Sequence, residues 1–169
     1  MQENFKSKLK IVRNFIFDVD GVLTDGNLFV MNGELHRTMN IRDGYALKTA
    51  VENGFRVIII SGGKSESVRQ RLNGLGITEV HLGVNDKVAR LNEINLSNNI
   101  NLDETIYMGD DLPDYEVMKI CGIPCCPEDA APEIRGLCMY ISPFKGGSGC
   151  VRDIIEQVLR CQGKWPYAG

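Results

Sequence analysis

The chain has 169 residues, enough for one domain with a hydrophobic core, and its 43% apolar and 24% charged residues are ordinary for a globular protein. The formal net charge of −3, without a block of like charges, argues against a nucleic-acid partner. No apolar run is long enough to cross a membrane and the N-terminus does not resemble a secretory signal, so we expect a cytoplasmic protein whose six cysteines are free thiols.

Short apolar runs predict the β-strands. The run at residues 55–60 is almost purely β-branched, which is typical of a strand covered on both faces. In chain order, the predicted strands are residues 11–17, 55–60, 79–82, 105–108, 123–126 and 138–141.

Amphipathic segments alternate with these strands and predict helices. We expect Asp43 to cap a helix that ends near Asn53, and Asn85 or Asp86 to open another. Further helices are predicted over residues 64–75, after Pro113 and over residues 149–159. This alternation predicts an α/β fold, Rossmann-like, with a mostly parallel sheet and helices on both faces.

Residues 27–40 break the alternation. Asn32 and Gly33 separate two strand-like arms, which is the strongest short signal of a β-hairpin. We expect this hairpin to project beyond the sheet, because it lies between the first strand and the first helix. The prediction for the whole chain is a single domain over residues 1–169, with a loose C-terminal tail over about 162–169.

Polar residues follow four of the predicted strands. Ligands of parallel α/β sheets bind at the carboxyl ends of the strands, so we expect these residues to meet. Strand by strand they are Asp18 and Asp20, then Ser61 and Gly62, then Lys87 at a helix start, then Asp110, Asp111 and Asp114.

These residue types are the ones that phosphoryl transfer needs. One carboxylate can attack phosphorus, a second can exchange a proton, and Mg²⁺ prefers carboxylate oxygens. An ammonium and a hydroxyl stabilise charge on the phosphoryl oxygens. Each motif alone also has a plain structural explanation, such as a turn, a solvated lysine or acids at a helix N-terminus. Their order on successive strand ends favours a phosphatase over these structural explanations.

The order of the motifs resembles the haloacid dehalogenase superfamily of phosphatases. The matching features are D-x-D-x-V/L-T, an apolar strand that ends in Ser-Gly, a lysine and G-D-D-x-x-D. The resemblance implies that Asp18 is the nucleophile and Asp20 the general acid and base. It also implies that Ser61, Gly62 and Lys87 bind the phosphoryl group.

The resemblance further implies a magnesium site. Its ligands would be Asp18, the main-chain carbonyl of Asp20, and Asp110. Asp111 and Asp114 would steady the water ligands of the ion, and the sequence does not rank these two residues.

The spacing of the motifs leaves no room for the cap domain that superfamily members usually carry. Only 40 residues separate Asp20 from Ser61, and only 25 separate Ser61 from Lys87. The chain therefore resembles the capless subclass. The stretches VLTDG, NIRDGYALK, LGVNDK, MGDDLPDYEVM and GGSG-x-VRD resemble the 3-deoxy-D-manno-octulosonate 8-phosphate (KDO 8-phosphate) phosphatases. This resemblance, over about residues 12–160, implies a sugar phosphate substrate, lipopolysaccharide biosynthesis and a homotetramer whose subunits cover one another's active sites.

The second motif departs from that family. Many members have Gly-Arg after its Ser or Thr, whereas this chain has Gly62-Gly63-Lys64. Related enzymes for nine-carbon ulosonate 9-phosphates, of the KDN or sialic acid type, carry Gly-Glu-Lys, and that substrate is the alternative. A non-catalytic binding protein on the same fold is the third hypothesis. Candidate substrate contacts are Arg42, Asp43, Lys64 and Arg71.

Overall fold

A computed structural model describes residues 4–167 of the chain. Six strands form one sheet in the order β5-β4-β1-β6-β7-β8, and every neighbouring pair is parallel. The sheet strands are β1 (Asn14–Phe17), β4 (Arg56–Ile60), β5 (Glu79–His81), β6 (Thr105–Met108), β7 (Ile123–Cys126) and β8 (Tyr140–Ile141), and the hairpin strands are β2 (Phe29–Met31) and β3 (Glu34–His36). The predicted α/β fold is confirmed.

Seven α-helices connect and cover the strands in the described part of the chain. They are α1 (Phe5–Lys8), α2 (Ile41–Glu52), α3 (Glu66–Gly74), α4 (Lys87–Asn98), α5 (Tyr115–Lys119), α6 (Pro132–Leu137) and α7 (Cys150–Cys161). Short 3₁₀ turns cover Leu102–Glu104 and Leu112–Asp114. Within residues 4–167, no helix has the length and apolar character that crossing a membrane requires.

The sheet is buried on both faces, as the β-branched strand pattern predicts. Phe15 and Phe17 point into a core that packs against α1, α2, α3 and α7. Ile16, between them, points into a second core with α4, α5 and α6. This alternation follows from the two-residue period of a strand. Because the chain moves from β1 out to one side and later returns to the other, the crevice beside β1 is the expected place for a ligand.

The predicted hairpin is present between β1 and α2. Asn32 and Gly33 both have positive φ, 52° and 77°, as a tight two-residue turn between antiparallel strands requires. The side chains of Phe29, Val30 and Leu35 are 64%, 67% and 49% exposed. The hairpin therefore presents an apolar surface that the other described residues leave uncovered.

Two local predictions were wrong. Asn40, not Asp43, caps α2, because its side chain accepts hydrogen bonds from the backbone N–H groups of Arg42 and Asp43. The predicted loose tail is packed as far as Trp165, which is buried and lies edge-on to Tyr45 with ring centroids 6.1 Å apart. Residues 168–169 of that tail lie outside the described part.

Candidate active site

The ends of β1, β4 and β6 open into a cavity of about 500 Å³. β1 lies between the other two strands, so residues that follow the three strands are neighbours in space. The structure brings all eight of the predicted strand-end residues to this cavity: Asp18, Asp20, Ser61, Gly62, Lys87, Asp110, Asp111 and Asp114. A larger cavity, of about 990 Å³, lies between α2 and α7.

A buried lysine joins two carboxylates at the centre of the cavity. The Nζ atom of Lys87 lies 3.0 Å from Oδ2 of Asp18 and 2.7 Å from Oδ1 of Asp114. The hydroxyl of Tyr107, from inside β6, donates to the same Asp114 oxygen at 2.8 Å. Burial acts to lower the pKa of Lys87, but the charges of Asp18 and Asp114 outweigh it and raise that pKa. The ammonium therefore stays charged where it holds both acids.

Three carboxylates in this cavity face one ammonium. Oxygens of Asp18, Asp110 and Asp114 all lie within 4.8 Å of one another. Burial, and next the charge of Asp114, raise the pKa of Asp18 well above its usual range. The same two causes raise the pKa of Asp110 to about 7. Concentrated negative charge on oxygen atoms is what a hard divalent cation neutralises, so the residues fit Mg²⁺.

The structure separates the two acids that the sequence could not rank. Asp114 is buried, and its carboxylate belongs to the cluster with Asp18 and Asp110. The resemblance had implied that Asp114 only steadies the water ligands of the ion. Asp111 is exposed, and its side chain caps the following 3₁₀ turn by accepting from the N–H of Leu112 at 2.8 Å. We expect Asp114 to have the larger part in holding an ion.

The backbone after Asp18 forms a tight turn over Val19–Leu23, which we call the Asp20 turn. The N–H of Val19 donates to Oδ1 of Asp18 at 2.7 Å and orients that carboxylate. Gly21 has a φ of +83°, and a Cβ atom there would collide with the carboxylate of Asp110. A glycine is therefore required for the two acidic loops to approach each other.

Ser61 lies buried directly after β4. Its backbone N–H donates to the carbonyl of His81 at 2.9 Å, which ties it to the end of β5. Its Oγ accepts from the N–H of Gly63 at 3.2 Å, and Gly62, which is exposed, lies between them in the cavity wall. A hydroxyl and exposed backbone thus face the carboxylates across the cavity.

Sequence reasoning missed two residues of this site. Arg37, just after β3, donates two hydrogen bonds to the carboxylate of Asp20, with Nε–Oδ1 and Nη2–Oδ2 distances of 2.5 and 3.1 Å. A Cβ atom on Gly63 would lie 2.9 Å from this guanidinium, so the glycine leaves room for the pair. The signal for Arg37 in the sequence was a cation at the end of the hairpin, shortly before α2. Tyr107 carried no such signal, because a tyrosine inside a strand looks like any core residue.

Of the candidate substrate contacts, Lys64 lies nearest to the site. It lines a second cavity of about 610 Å³, which also includes Arg37 and shares Gly62 and Gly63 with the first. Arg42 lines the 990 Å³ cavity, which shares no lining residue with the carboxylate cavity. The guanidinium of Arg71 packs on the backbone of α2 at Gly44.

Asp43 is 1% exposed and does not line the carboxylate cavity. Its carboxylate faces the start of α7, where Oδ1 accepts from the N–H of Arg152. The expectation that Asp43 reaches a substrate fails for this reason.

Comparison with known proteins is consistent with this geometry. Residues 80–154 match the haloacid dehalogenase-like hydrolase family. The 3-deoxy-D-manno-octulosonate 8-phosphate phosphatase KdsC of Yersinia pestis is 34% identical over 154 residues, which cover 90% of this chain and 82% of that protein.

Solved structures give the same result. The Yersinia pestis 3-deoxy-D-manno-octulosonate 8-phosphate phosphatase superposes with a TM-score of 0.92 at 32% identity, over 96% of this chain and 88% of that one. The Moraxella catarrhalis enzyme, solved with a magnesium ion, a phosphate ion and KDO, superposes with a TM-score of 0.91 at 30% identity, over 96% of this chain and 94% of that one.

Proposed function

The chain belongs to the 3-deoxy-D-manno-octulosonate 8-phosphate phosphatases within the haloacid dehalogenase-like hydrolases, and from this premise we propose that it hydrolyses KDO 8-phosphate to KDO and phosphate. The observation that carries the proposal is the meeting of Asp18, Lys87 and Asp110 in one cavity. The family relationship makes the eight-carbon ester the first choice of substrate, with the nine-carbon ulosonate 9-phosphate as the alternative.

Asp18 is the nucleophile in this proposal. Lys87 and the N–H of Val19 each hold one of its oxygens, so the carboxylate is oriented before a substrate arrives. One carboxylate oxygen forms a bond to phosphorus while the bond from phosphorus to the sugar oxygen breaks, which leaves an aspartyl phosphate.

Asp20 moves the proton. It donates a proton to the departing sugar oxygen, and then accepts one from the water that attacks phosphorus and releases Asp18. Ser61, Gly62 and Lys87 bind the phosphoryl oxygens during both steps and stabilise their charge.

The carboxylates of Asp18 and Asp110 and the main-chain carbonyl of Asp20 would hold Mg²⁺, with Asp114 beside them. When bound, the ion neutralises negative charge on the phosphoryl group and on the acids around it. Lys87 alone cannot do this for three carboxylates, which is why the proposal includes a metal.

The experiment compares phosphate release from KDO 8-phosphate and from a nine-carbon ulosonate 9-phosphate in the presence of Mg²⁺. We expect the eight-carbon ester to have the higher kcat/KM, and a value at least about tenfold higher for the nine-carbon ester would replace our choice of substrate. Asp18→Asn and EDTA are the controls. Phosphate release that survived both would support neither substrate and would contradict the mechanism.

The proposal extends to the whole protein. The exposed hairpin and the open cavity support a homotetramer of single capless domains, in which neighbouring subunits cover the site and exclude water. Arg42 and Arg71, exposed on α2 and α3, stay candidate substrate contacts across such a subunit boundary. The six free cysteines suit a cytoplasmic enzyme of lipopolysaccharide biosynthesis.

A further inference from the structure

The last helix of the fold depends on a side chain from elsewhere for its N-terminal cap. α7 begins after Gly149, which has no side chain with which to accept a hydrogen bond. The carboxylate of Asp43, in the first turn of α2, accepts from the N–H of Arg152 at 2.8 Å instead. A carboxylate at a helix N-terminus satisfies one free N–H group and interacts favourably with the helix dipole.

The glycine-rich segment 145–149 leads into α7 and lies against the Asp20 turn. The N–H of Gly147 donates to the carbonyl of Val22 at 2.9 Å, and the thiol of Cys150 lies 3.3 Å from the same oxygen. The side chain of Asn40, the cap of α2, donates to the carbonyl of Gly147 at 3.2 Å. The start of α2 thus contacts the middle of this segment through Asn40 and the first turn of α7 through Asp43.

The contact between segment 145–149 and the Asp20 turn is made by the backbones themselves. A Cβ atom on Gly146 would collide with the carbonyl of Gly21 in this turn, and one on Gly147 would lie 2.6 Å from the backbone nitrogen of Asp25, two residues after the turn. There is no space for a side chain between the two segments, so a shift of segment 145–149 is transmitted to the turn that carries Asp20.

We propose that Asp43 is a positioning residue, which caps α7 from α2 and thereby holds segment 145–149 against the Asp20 turn. It acts on the reaction through backbone contacts and touches no substrate. The proposal deepens the phosphatase function and rests on it for the effect on turnover, but its structural part stands on the contacts alone.

The burial and the charged neighbours of Asp43 are consistent with its role as the cap of α7. Its Oδ2 has no hydrogen-bond partner among the described residues. Burial raises its pKa to about 6, although the N–H groups of Arg152 and Gly149 and the charge of Arg152 act to lower that pKa. Within residues 4–167, the other titratable or charged groups beside Asp43 are the thiol of Cys150, from α7, and Arg71 of α3, which packs on neighbouring Gly44. A buried acid costs stability, and capping explains why one is present.

The test compares two substitutions of nearly the same shape. Asp43→Asn keeps an oxygen that accepts from Arg152, whereas Asp43→Leu has no acceptor. Thr49→Ala, a change at a buried position of the same helix, controls for loss of stability. The Thr49 hydroxyl donates to the carbonyl of Tyr45 within α2. Backbone hydrogen exchange is measured at Gly147 and Arg152, together with kcat and KM for phosphate release.

In Asp43→Leu we expect exchange at the Gly147 and Arg152 amides to rise by about fivefold or more, the equivalent of a lost helix cap. We expect kcat to fall by about tenfold with a smaller change in KM, because misplacement of Asp20 affects the reaction more than it affects substrate binding. Asp43→Asn and Thr49→Ala should stay near wild type in both measurements.

The pH dependence of stability gives a second readout. The folded-state pKa of Asp43, about 6, lies above the ordinary value of 3.8, so the folded protein binds this proton more tightly than the unfolded one. Wild type should therefore lose stability relative to Asp43→Asn as pH rises from 4 through 6. Equal stability differences at both ends of that range would show that folding does not raise the pKa of Asp43, which would count against the buried position from which it caps α7.

A folded Asp43→Leu protein whose Gly147 and Arg152 amides exchange as slowly as those of Asp43→Asn would overturn the proposal. If the leucine variant does not fold, Asp43→Asn decides the matter, since fast exchange at these amides despite the retained acceptor would also overturn it. The exchange measurement needs no substrate. A wild type that fails to release phosphate would therefore count against the proposed function and not against this capping role.

Discussion

Asp114 is the residue on which most of the polar contacts of the site converge. It accepts from Lys87 and Tyr107 through one oxygen, while its other oxygen accepts from the N–H of Asp110 at 3.3 Å. The carboxylate therefore fixes the lysine that orients Asp18 and the loop that carries Asp110. Its neighbour Asp111 makes no contact of this kind among the described residues, because its side chain is occupied with the local turn.

We predict that Asp114→Asn lowers kcat/KM by at least about tenfold, whereas Asp111→Asn changes it by less than about threefold. The asparagine keeps the shape of the side chain but removes the charge that balances Lys87 and helps to attract the metal. Phosphate release is measured over a range of Mg²⁺ concentrations, since a weakened metal site also shifts the half-saturating concentration.

The matched pair separates charge from position, as both acids lie in the same loop. Thermal unfolding of the two variants checks that the loop is still folded. Equal losses of activity in the two variants would contradict the central place of Asp114.

At the scale of elements, caps were harder to predict than strands. The stretch NIRDG offers both an asparagine and an aspartate at a helix start, and both are good caps. The local sequence does not distinguish Asn40 from Asp43 as the cap of α2. The difference comes from α7, about a hundred residues further along, because the Asp43 carboxylate accepts from the N–H of Arg152 there. Of the two residues expected to open α4, Asn85 and Asp86, it is Asp86 that caps the helix, and its side chain accepts from the N–H of Ala89.

The hairpin is linked to the active site through its base. Arg37 lies just after β3 and holds Asp20 by two hydrogen bonds, which raise the pKa of the guanidinium. A bidentate pair fixes the plane of a carboxylate as well as its position. The hairpin therefore does more than present an apolar surface, because it also orients a side chain of the site.

We predict that Arg37→Ala lowers kcat by about tenfold, a fraction of what a positioned proton-transfer group contributes. Without the guanidinium, the Asp20 carboxylate is free to rotate. Arg37→Lys should recover part of the loss, because an ammonium can hold one oxygen but not both. Steady-state kinetics on both variants checks the order wild type, lysine, alanine; an alanine variant at full kcat would show that Asp20 needs no support from the hairpin.

At the scale of the whole molecule, the hairpin is the clearest exposed apolar surface beside the site. Phe29, Val30 and Leu35 are all more than 45% exposed. Burying such side chains stabilises an assembly by about 25 cal/mol for each Å² removed from water. The proposed tetramer would bury them and would close the open cavity.

We predict that the wild type has the mass of four 18.8 kDa chains in solution and that Val30→Lys with Leu35→Lys shifts it to smaller species. Charges on this surface would have to lose their water in the assembly. Leu96→Lys is the matched control, because Leu96 is 89% exposed and belongs to α4, not to the hairpin. Light scattering after size exclusion measures the masses. A double variant with the mass of the wild type would place the interface elsewhere.

The sequence by itself determined the strands, most of the helices, the hairpin and the residues that meet at the cavity. It could do so because these follow from local rules. Strand runs such as 55–60 are apolar on both faces, Asn32-Gly33 specifies its turn, and parallel strands bring their carboxyl ends to one edge.

Only the tertiary structure decided which acid joins the carboxylate cluster, which cation holds Asp20 and what Asp43 does. Each of these depends on a partner that is distant in sequence: Lys87 for Asp114, the hairpin base for Asp20, and α7 for Asp43. The charge and burial of a polar side chain are properties of its surroundings. An aspartate therefore has the same appearance in the sequence whether it binds an ion, caps a neighbouring helix or faces solvent.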